Sequence, residues 1–339
     1  MDPISQGIVG AVCARSVKPR APARETLILG ALAGMAPDLD VLIRSASDPL
    51  LFLEFHRQFT HSLAFAPIGA LLVSIATLWL FKSAFSSFRT RYWICLAGYA
   101  SHGLLDAATT YGTQLYFPFS DFRVAWNFMS IVDPLFTLPL IGFSVLAVMF
   151  SKRQYHWLGV LWMVGYLSMG IIQRDRAESA GLWLAASRGH PITEISAKPG
   201  FASLLMWKTV YTWNDRFYVD GIRIGLESTF YPGTSVQKLD ETWLKTQIPQ
   251  DSQQWRDVAR FRWFSADYLG WSPDRPLEIM DVRYSMLVNR IDPLWVIEID
   301  PERPDQHVAF VTRRDASPET VRTWWCMLTH CEAPLVRTP

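Results

Sequence analysis

Carboxylates and imidazoles recur in short, ordered motifs over the first third of the chain: Pro37-Asp38-Leu39-Asp40, His56-Arg57, Thr60-His61-Ser62, and His102 with Asp106 four residues on. This mixture of side chains is the ligand set of Zn²⁺, Mn²⁺ or Fe²⁺, with zinc the usual choice for hydrolysis. His102 and Asp106, at i and i+4, share one helical face. Pro37 weakens helical continuation, so a turn there can aim both Asp38 and Asp40 into one site. Arg57 carries a planar fork of donors suited to a phosphate or a developing oxyanion. A carboxylate of the Asp38/Asp40 pair that is not a ligand is the candidate general base. The expected metal ligands are therefore Asp38, Asp40, His56, His61, His102 and Asp106, and the expected catalytic residues Asp38, Asp40 and Arg57.

Each of these residues also has a plainer reading. A lone histidine in an apolar helix, such as His102, commonly bonds a neighbouring helix, and Asp38-Asp40 could end a helix as a polar turn. Arg57 could anchor a membrane interface. Asp133, followed by Pro134, reads as a helix N-cap with proline at the first helical position. His156, beside Lys152 and Arg153, reads as an interfacial residue on the inner face, and His190, His307 and His330 lack ligand spacing. No HExxH, GxSxG or Walker loop occurs, which removes the common protease, esterase and nucleotide-binding anchors.

The elements that must position the motifs are strongly apolar. Half of the 339 residues are hydrophobic and 14% aromatic. Residues 63–81 contain no charge and would span roughly 28 Å as a helix, close to the thickness of a bilayer core. Residues 133–150 and 157–172 are similar, and 26–43 and 92–111 are apolar apart from the Asp and His residues near one end. Ionisable groups at such positions are costly in a membrane unless they serve a site. A short first helix, about residues 4–15, lacks a basic leader and is expected to act as an address rather than a cleaved signal.

Lysine and arginine cluster before residue 25, in 82–91 (Lys82, Arg89, Arg91) and just after residue 150. The positive-inside rule puts those loops on the cytoplasmic side, gathering the candidate ligands and the C-terminal half at the outer face. After about residue 175 the pattern changes to alternating strand-like runs, TVYTW (209–213), RFYVDGIRIG (216–225) and LWVIEI (294–299), with Asn-Asp and Asp-Gly turn signals. Two domains are thus expected: a membrane-embedded α-helical bundle of about five or six full or partial spans over 1–175, and a small β-rich or α+β extramembrane domain over 176–339. In the latter, Trp263, Phe264, Tyr268 and Trp271 could enter a headgroup layer or fill a β core. Cys13 and Cys95 fall in apolar helices as packing residues, while Cys326 and Cys331 are spaced to allow a disulfide in an oxidising compartment. The net charge of +1 gives no case for nucleic acid as a partner.

The motifs MDPISQGIVGA at the start, APDLD (36–40), FHRQFTHS (55–62), SHGLLDAATTYGT (101–113), PFSDFR (118–123) and IVDPLF (131–136) resemble the bacterial inner-membrane, metal-dependent hydrolases of the LexA-regulated type. The resemblance covers about the first 175 residues, with a looser likeness at DVRYS (281–285). It implies a multi-pass inner-membrane protein, so the outer face to which the loop charges assign the C-terminal domain is the periplasmic side. It also implies a metal-dependent hydrolase distantly akin to zinc-dependent phospholipase C. Carried over by motif, the ligands fall on Asp38 or Asp40, His56, His61, His102 and Asp106. Members usually have a Thr-His pair where this chain has Ser5-Gln6, and a glutamine carbonyl is a poorer ligand than an imidazole. The expected function is hydrolysis of an ester or phosphoester, with membrane lipid as substrate class. The alternative is a non-catalytic membrane protein that uses the cluster for structure, metal sensing or assembly with a partner.

Overall fold

A computed structural model describes residues 1–80, 85, 87–272, 275–329, 331 and 336–337. Phe81, Lys82 and His330, which entered the sequence reading, lie outside the described residues. The chain forms two compact units, Met1–Ile43 with Phe55–Ile171, and Arg44–Glu54 with Ile172–Pro339.

In the first unit, helix α1 (Pro3–Val17) starts on Asp2, whose carboxylate accepts the backbone N–H of Ile4 and Ser5, with proline at the first turn. Helix α2 (Ala23–Met35) stops where Pro37 removes the N–H that a further turn would use, and a 3-10 segment continues over Ala36–Leu42. Then come α3 (Leu51–Phe55), a 3-10 turn at Phe59–His61, α4 (Ala66–Ala76), α5 (Phe88–Ala107), α6 (Pro134–Met149) and α7 (Arg153–Ser187), within which the unit boundary falls. Asp133 caps α6 through the N–H of Leu135 and Phe136. His156 is buried and hydrogen-bonds Ser16 Oγ at 3.1 Å.

Glycines set how closely α1, α2 and α5 pack. A Cβ on Gly10 would lie 2.6 Å from the Gly30 carbonyl oxygen, one on Gly34 2.6 Å from that of Gln6, and one on Gly98 2.5 Å from that of Gly30. Small residues at the crossings let the backbones meet, as in membrane helix pairs. At the end of α5, a Cβ on Gly103 would fall 2.1 Å from the His61 carbonyl oxygen, so only glycine lets this helix seat the turn that carries His61.

The expectation of five or six spans is corrected by this structure. Among the described residues α7 alone is long and apolar enough to cross a membrane. The pair Leu51–His61 and Ala66–Ala76, bent by 85°, would add a second span if it acts as one. The apolar stretch 63–81 contains only the 11-residue α4, the stretch 26–43 breaks after Met35, and α6 with 16 residues reaches about 24 Å. Helix α5 has 20 residues, but its Arg91, His102 and Asp106 are buried in protein. Apolar composition marked these segments, whereas helix length and the burial of polar side chains decide what can span. The sidedness threaded from loop charges loses its basis with them.

The second unit holds two antiparallel sheets, in the orders β1-β2-β3-β4-β9 and β5-β6-β7-β8. Their strands are β1 (Ser196–Pro199), β2 (Met206–Trp213), β3 (Arg216–Ile224), β4 (Ser228–Gln237), β5 (Leu269–Trp271), β6 (Glu278–Asp281), β7 (Trp295–Glu298), β8 (Ala309–Thr312) and β9 (Val336–Arg337). Asn214 and Asp215, both at positive φ, turn β2 into β3 as the Asn-Asp signal predicts. Asp220-Gly221 is instead a bulge inside β3, where buried Asp220 accepts from Arg188 at 2.6 and 2.7 Å. Val210, Val219, Val236, Met280, Val282 and Val296 share one core. Helices α8 (Glu241–Gln247), α9 (Gln253–Phe264) and α10 (Pro318–Thr329) complete the unit, and Phe264 is buried on α9. Arg260 pairs with Asp48 and Asp257 at 2.8 and 2.9 Å, tying Arg44–Glu54 into this unit. Cys326 and Cys331 form a disulfide.

The glycine contacts give a direct stability test. A Cβ on Gly30 would meet the Ala14 Cβ at 2.5 Å and the Gly10 oxygen at 2.8 Å, whereas one on Gly165 meets nothing within 4 Å. Gly30→Ala is expected to lower stability by about 1–3 kcal/mol, while Gly165→Ala is neutral or stabilising by up to about 1 kcal/mol. Thermal unfolding in detergent checks this, and equal melting temperatures would refute the packing account.

Candidate metal centre

Four chain segments bring the motifs together inside the first unit. The 3-10 segment after α2 supplies Asp38 and Asp40, the turn before α4 supplies His61, and the last two turns of α5 supply His102 and Asp106. His56 and Arg57 follow α3, with Arg57 at a φ of +67°. Asp38, His61, His102 and Asp106 each offer a ligand atom within 4.8 Å of the others, and Asp38, Asp40 and His56 form a second such group that shares Asp38.

The first group is the stronger metal candidate because of how its imidazoles are held. His102 Nδ1 lies 2.6 Å from the Gly34 carbonyl oxygen, which can only accept, so Nδ1 carries a proton and Nε2 is the nitrogen turned to the cluster. His61 Nδ1 faces Thr60 Oγ1 at 2.9 Å and Asp40 Oδ2 at 3.2 Å, while Thr60 Oγ1 donates to the same Asp40 oxygen at 2.9 Å. That arrangement puts the His61 proton on Nδ1 as well. The two Nε2 atoms then stand 2.8 Å apart. Asp38 Oδ1 lies 3.4 Å from both, and Asp106 Oδ2 3.2 and 3.5 Å from them. Two Nε2 atoms and two carboxylate oxygens gathered within 4.8 Å are the donor set of a divalent cation, which takes the place of the proton the nitrogens share. Among the described residues Asp106 Oδ2 is buried with ion-pair contacts to Arg57, His61 and His102 but no hydrogen bond of good geometry, which fits a ligand atom.

Asp40 has a different environment. It is 3% exposed and accepts from the Arg57 N–H at 3.0 Å and from Thr60, with His56 Nδ1 at 2.8 Å. It thus orients His61 and His56 from behind, as outer-shell carboxylates do for metal-bound histidines. Arg57 is 4% exposed: it donates to Thr109 Oγ1 at 2.9 Å, and its Nε lies 3.1 Å from Asp106 Oδ2 in an ion pair that lacks hydrogen-bond geometry. Tyr111 covers its guanidinium at 4.6 Å. Gln6 Nε2 donates to Asp106 Oδ1 at 2.8 Å, and the Met1 amino group meets the same oxygen. Gln6 Oε1 is buried and finds no hydrogen bond among the described residues.

The charge state follows from these contacts. Burial opposes ionisation of Asp38, but hydrogen bonds from His102 and His61 outweigh it and hold the carboxyl well below its ordinary range. Asp40 is held down the same way, mainly by His56 and His61. For Asp106, burial is outweighed first by the Arg57 guanidinium and then by the Met1 amino group. All three are anions at neutral pH.

The sequence reading missed Thr60, Thr109 and Tyr111 as supports, although all three lie within or beside its motifs. The Gly34 carbonyl belongs to another helix and carried no sequence signal. His190 stacks on Trp213 at 3.9 Å, and His307 pairs with Asp257 at 2.9 Å, each away from the cluster in chain and unit.

Asp40→Asn should keep the fold and weaken metal binding by about 10–100-fold, the usual effect of losing an outer-shell carboxylate. Competitive titration of zinc against a chromophoric chelator measures it, and unchanged affinity would rule out the positioning role.

The chain is 32% identical over 155 residues to the inner membrane protein YbcI of Escherichia coli (strain K12), covering 43% of this chain and 82% of that one. It is 30% identical over 109 residues to the uncharacterized protein YfhP of Bacillus subtilis (strain 168), covering 32% of each, so it spans about a third of that relative's length. No solved structure matches. Residues 1–177, which carry all of the site described above, match the family described as YdjM inner membrane protein, and the chain belongs to that family.

Proposed function

We propose that this protein is a zinc-dependent hydrolase of esters or phosphoesters, with membrane lipid as its substrate class. The observation that carries the proposal is the 2.8 Å approach of His61 Nε2 and His102 Nε2, flanked by Asp38 and Asp106. Zinc held by these four residues would supply Lewis acidity to a water and to the scissile group.

The residues divide the remaining work. His102 and Asp106 are closed off at 0% exposure, while the side chain of Asp38 keeps 19% and that of His56 18%, so substrate approaches from the Asp38 and His56 side. Asp40 holds His56 Nδ1, leaving Nε2 to take and return a proton. Asp40 therefore acts through His56 and His61 as a positioning residue. Arg57 steadies Asp106 and the turn at Thr109, which places its charge beside the site without direct exposure. The lipid and phosphoester arms of the reading draw on the inner-membrane family and on the resemblance to zinc-dependent phospholipase C. The Cys326–Cys331 bond favours an oxidising, periplasmic compartment for the second unit.

One observation favours a second reading, a metal-sensing or structural centre. Gln6 spends its amide on Asp106 Oδ1, where a histidine would have given another ligand.

Metal analysis of detergent-purified protein should find about one zinc per chain, lost in His61→Ala and His102→Ala. His56→Ala should retain the metal and lose about 10²–10⁴ of the hydrolysis rate on a phospholipid and ester panel. Absence of stoichiometric transition metal from the wild type would overturn the metal reading. Bound metal without metal-dependent turnover would favour the second one.

A further inference from the structure

The second unit contains a nucleophile and base arrangement that the metal centre does not use. Ser196 and Lys198 stand two residues apart on the edge strand β1, so their side chains share one face of the sheet. Lys198 is 5% exposed, and its Nζ lies 3.0 Å from Ser196 Oγ and 4.7 Å from the centre of the Tyr268 ring. Ser196 and Tyr268 both line a cleft of about 830 Å³, whose walls include Tyr211, Trp213 and Phe217.

The charges around Lys198 are out of balance. Its cross-strand partner is Lys208, also buried, and like charges directly opposite on neighbouring strands repel. Lys208 is occupied, with Ser285 Oγ at 2.9 Å and the Arg290 carbonyl at 3.0 Å. Arg283 adds a third cation but is paired with Asp281 at 2.7 Å. Burial, and then Arg283, push the Lys198 ammonium down to about 7, against the pull of Asp281 and Glu178. An amine that is partly neutral at physiological pH, bonded to a serine hydroxyl at the wall of a cleft, is the base of a serine–lysine pair.

We propose that Ser196, Lys198 and Tyr268 form an acyl-transfer site that hydrolyses carboxylic esters with an apolar acyl chain. Ser196 Oγ attacks the carbonyl carbon as its proton passes to the neutral Lys198 Nζ. The ester C–O bond then breaks, and the leaving alkoxide takes that proton from Lys198 to depart as an alcohol. Water next attacks the acyl carbon, giving a proton to Lys198 Nζ. The acyl–Oγ bond breaks, Ser196 recovers its proton from Lys198, and the carboxylic acid leaves. The Tyr268 ring packs over Lys198 Nζ beside Ser196, and the aromatic walls receive the acyl chain. This site is independent of the metal centre.

The test uses the full chain in detergent, a fluorophosphonate probe and p-nitrophenyl butyrate, with the labelled peptide read by mass spectrometry. The expected results are an adduct on Ser196, its loss in Ser196→Ala, and about 100-fold slower labelling in Lys198→Met. Ser285→Ala, which alters the neighbouring pair, should label at the wild-type rate, and so should wild type treated with a metal chelator. The wild-type rate should rise with pH to a plateau with a midpoint near 7. Absence of an adduct on Ser196 in folded wild type, or an equal rate in folded Lys198→Met, would overturn the proposal. Should Lys198→Met not fold, the pH profile decides, and a flat rate from about pH 6 to about pH 9 refutes a lysine base.

Discussion

Two imidazole Nε2 atoms 2.8 Å apart need a proton or a metal cation between them, and the first unit is arranged around that need. The Gly34 carbonyl fixes the proton of His102 on the far nitrogen, and Thr60 with Asp40 does the same for His61. The two carboxylates that flank the gap are anions, and Asp106 brings an oxygen that no hydrogen bond satisfies. A cation at this point holds the two nitrogens and the two acids together.

Holding that geometry requires backbones closer than ordinary side chains permit. Gly30, Gly34 and Gly98 bring α2 against α1 and α5, which places the Gly34 carbonyl where His102 can donate to it. Gly103 admits the turn that carries His61. Pro37 ends α2 so that Asp38 and Asp40 leave in different directions, one to the gap and one behind the imidazoles. The same chemistry could not be assembled on straight helices packed at Leu-to-Leu distance.

The chemistry of the site was legible because it is written in side chains: Asp38, His61, His102 and Asp106 were all visible as donors at suggestive spacing. The division of labour was not. Asp38 and Asp40 are indistinguishable in sequence, and only the contacts with Arg57, Thr60 and His56 set the environment of Asp40 apart from that of Asp38. The spans were over-read for a related reason. Hydropathy marks Leu and Ala in α4 and α2 without knowing that a proline or a turn will cut the helix, or that the polar face of α5 is turned into protein. Alternation revealed β2, β3 and β7, yet the Asp-Gly pair in β3 is a bulge because Asp220 is bound to Arg188. The Ser196–Lys198 pair escaped notice because two polar residues on a strand look ordinary until the Tyr268 ring and the burial of Lys198 are seen.

X-ray absorption at the zinc edge of the purified, zinc-loaded protein tests the central claim most directly. The account predicts a first shell at about 2.0–2.1 Å with the outer scattering of two imidazoles, reduced to one in His102→Ala. A shell of oxygen atoms with no imidazole scattering, or a spectrum unchanged by His102→Ala, would contradict it.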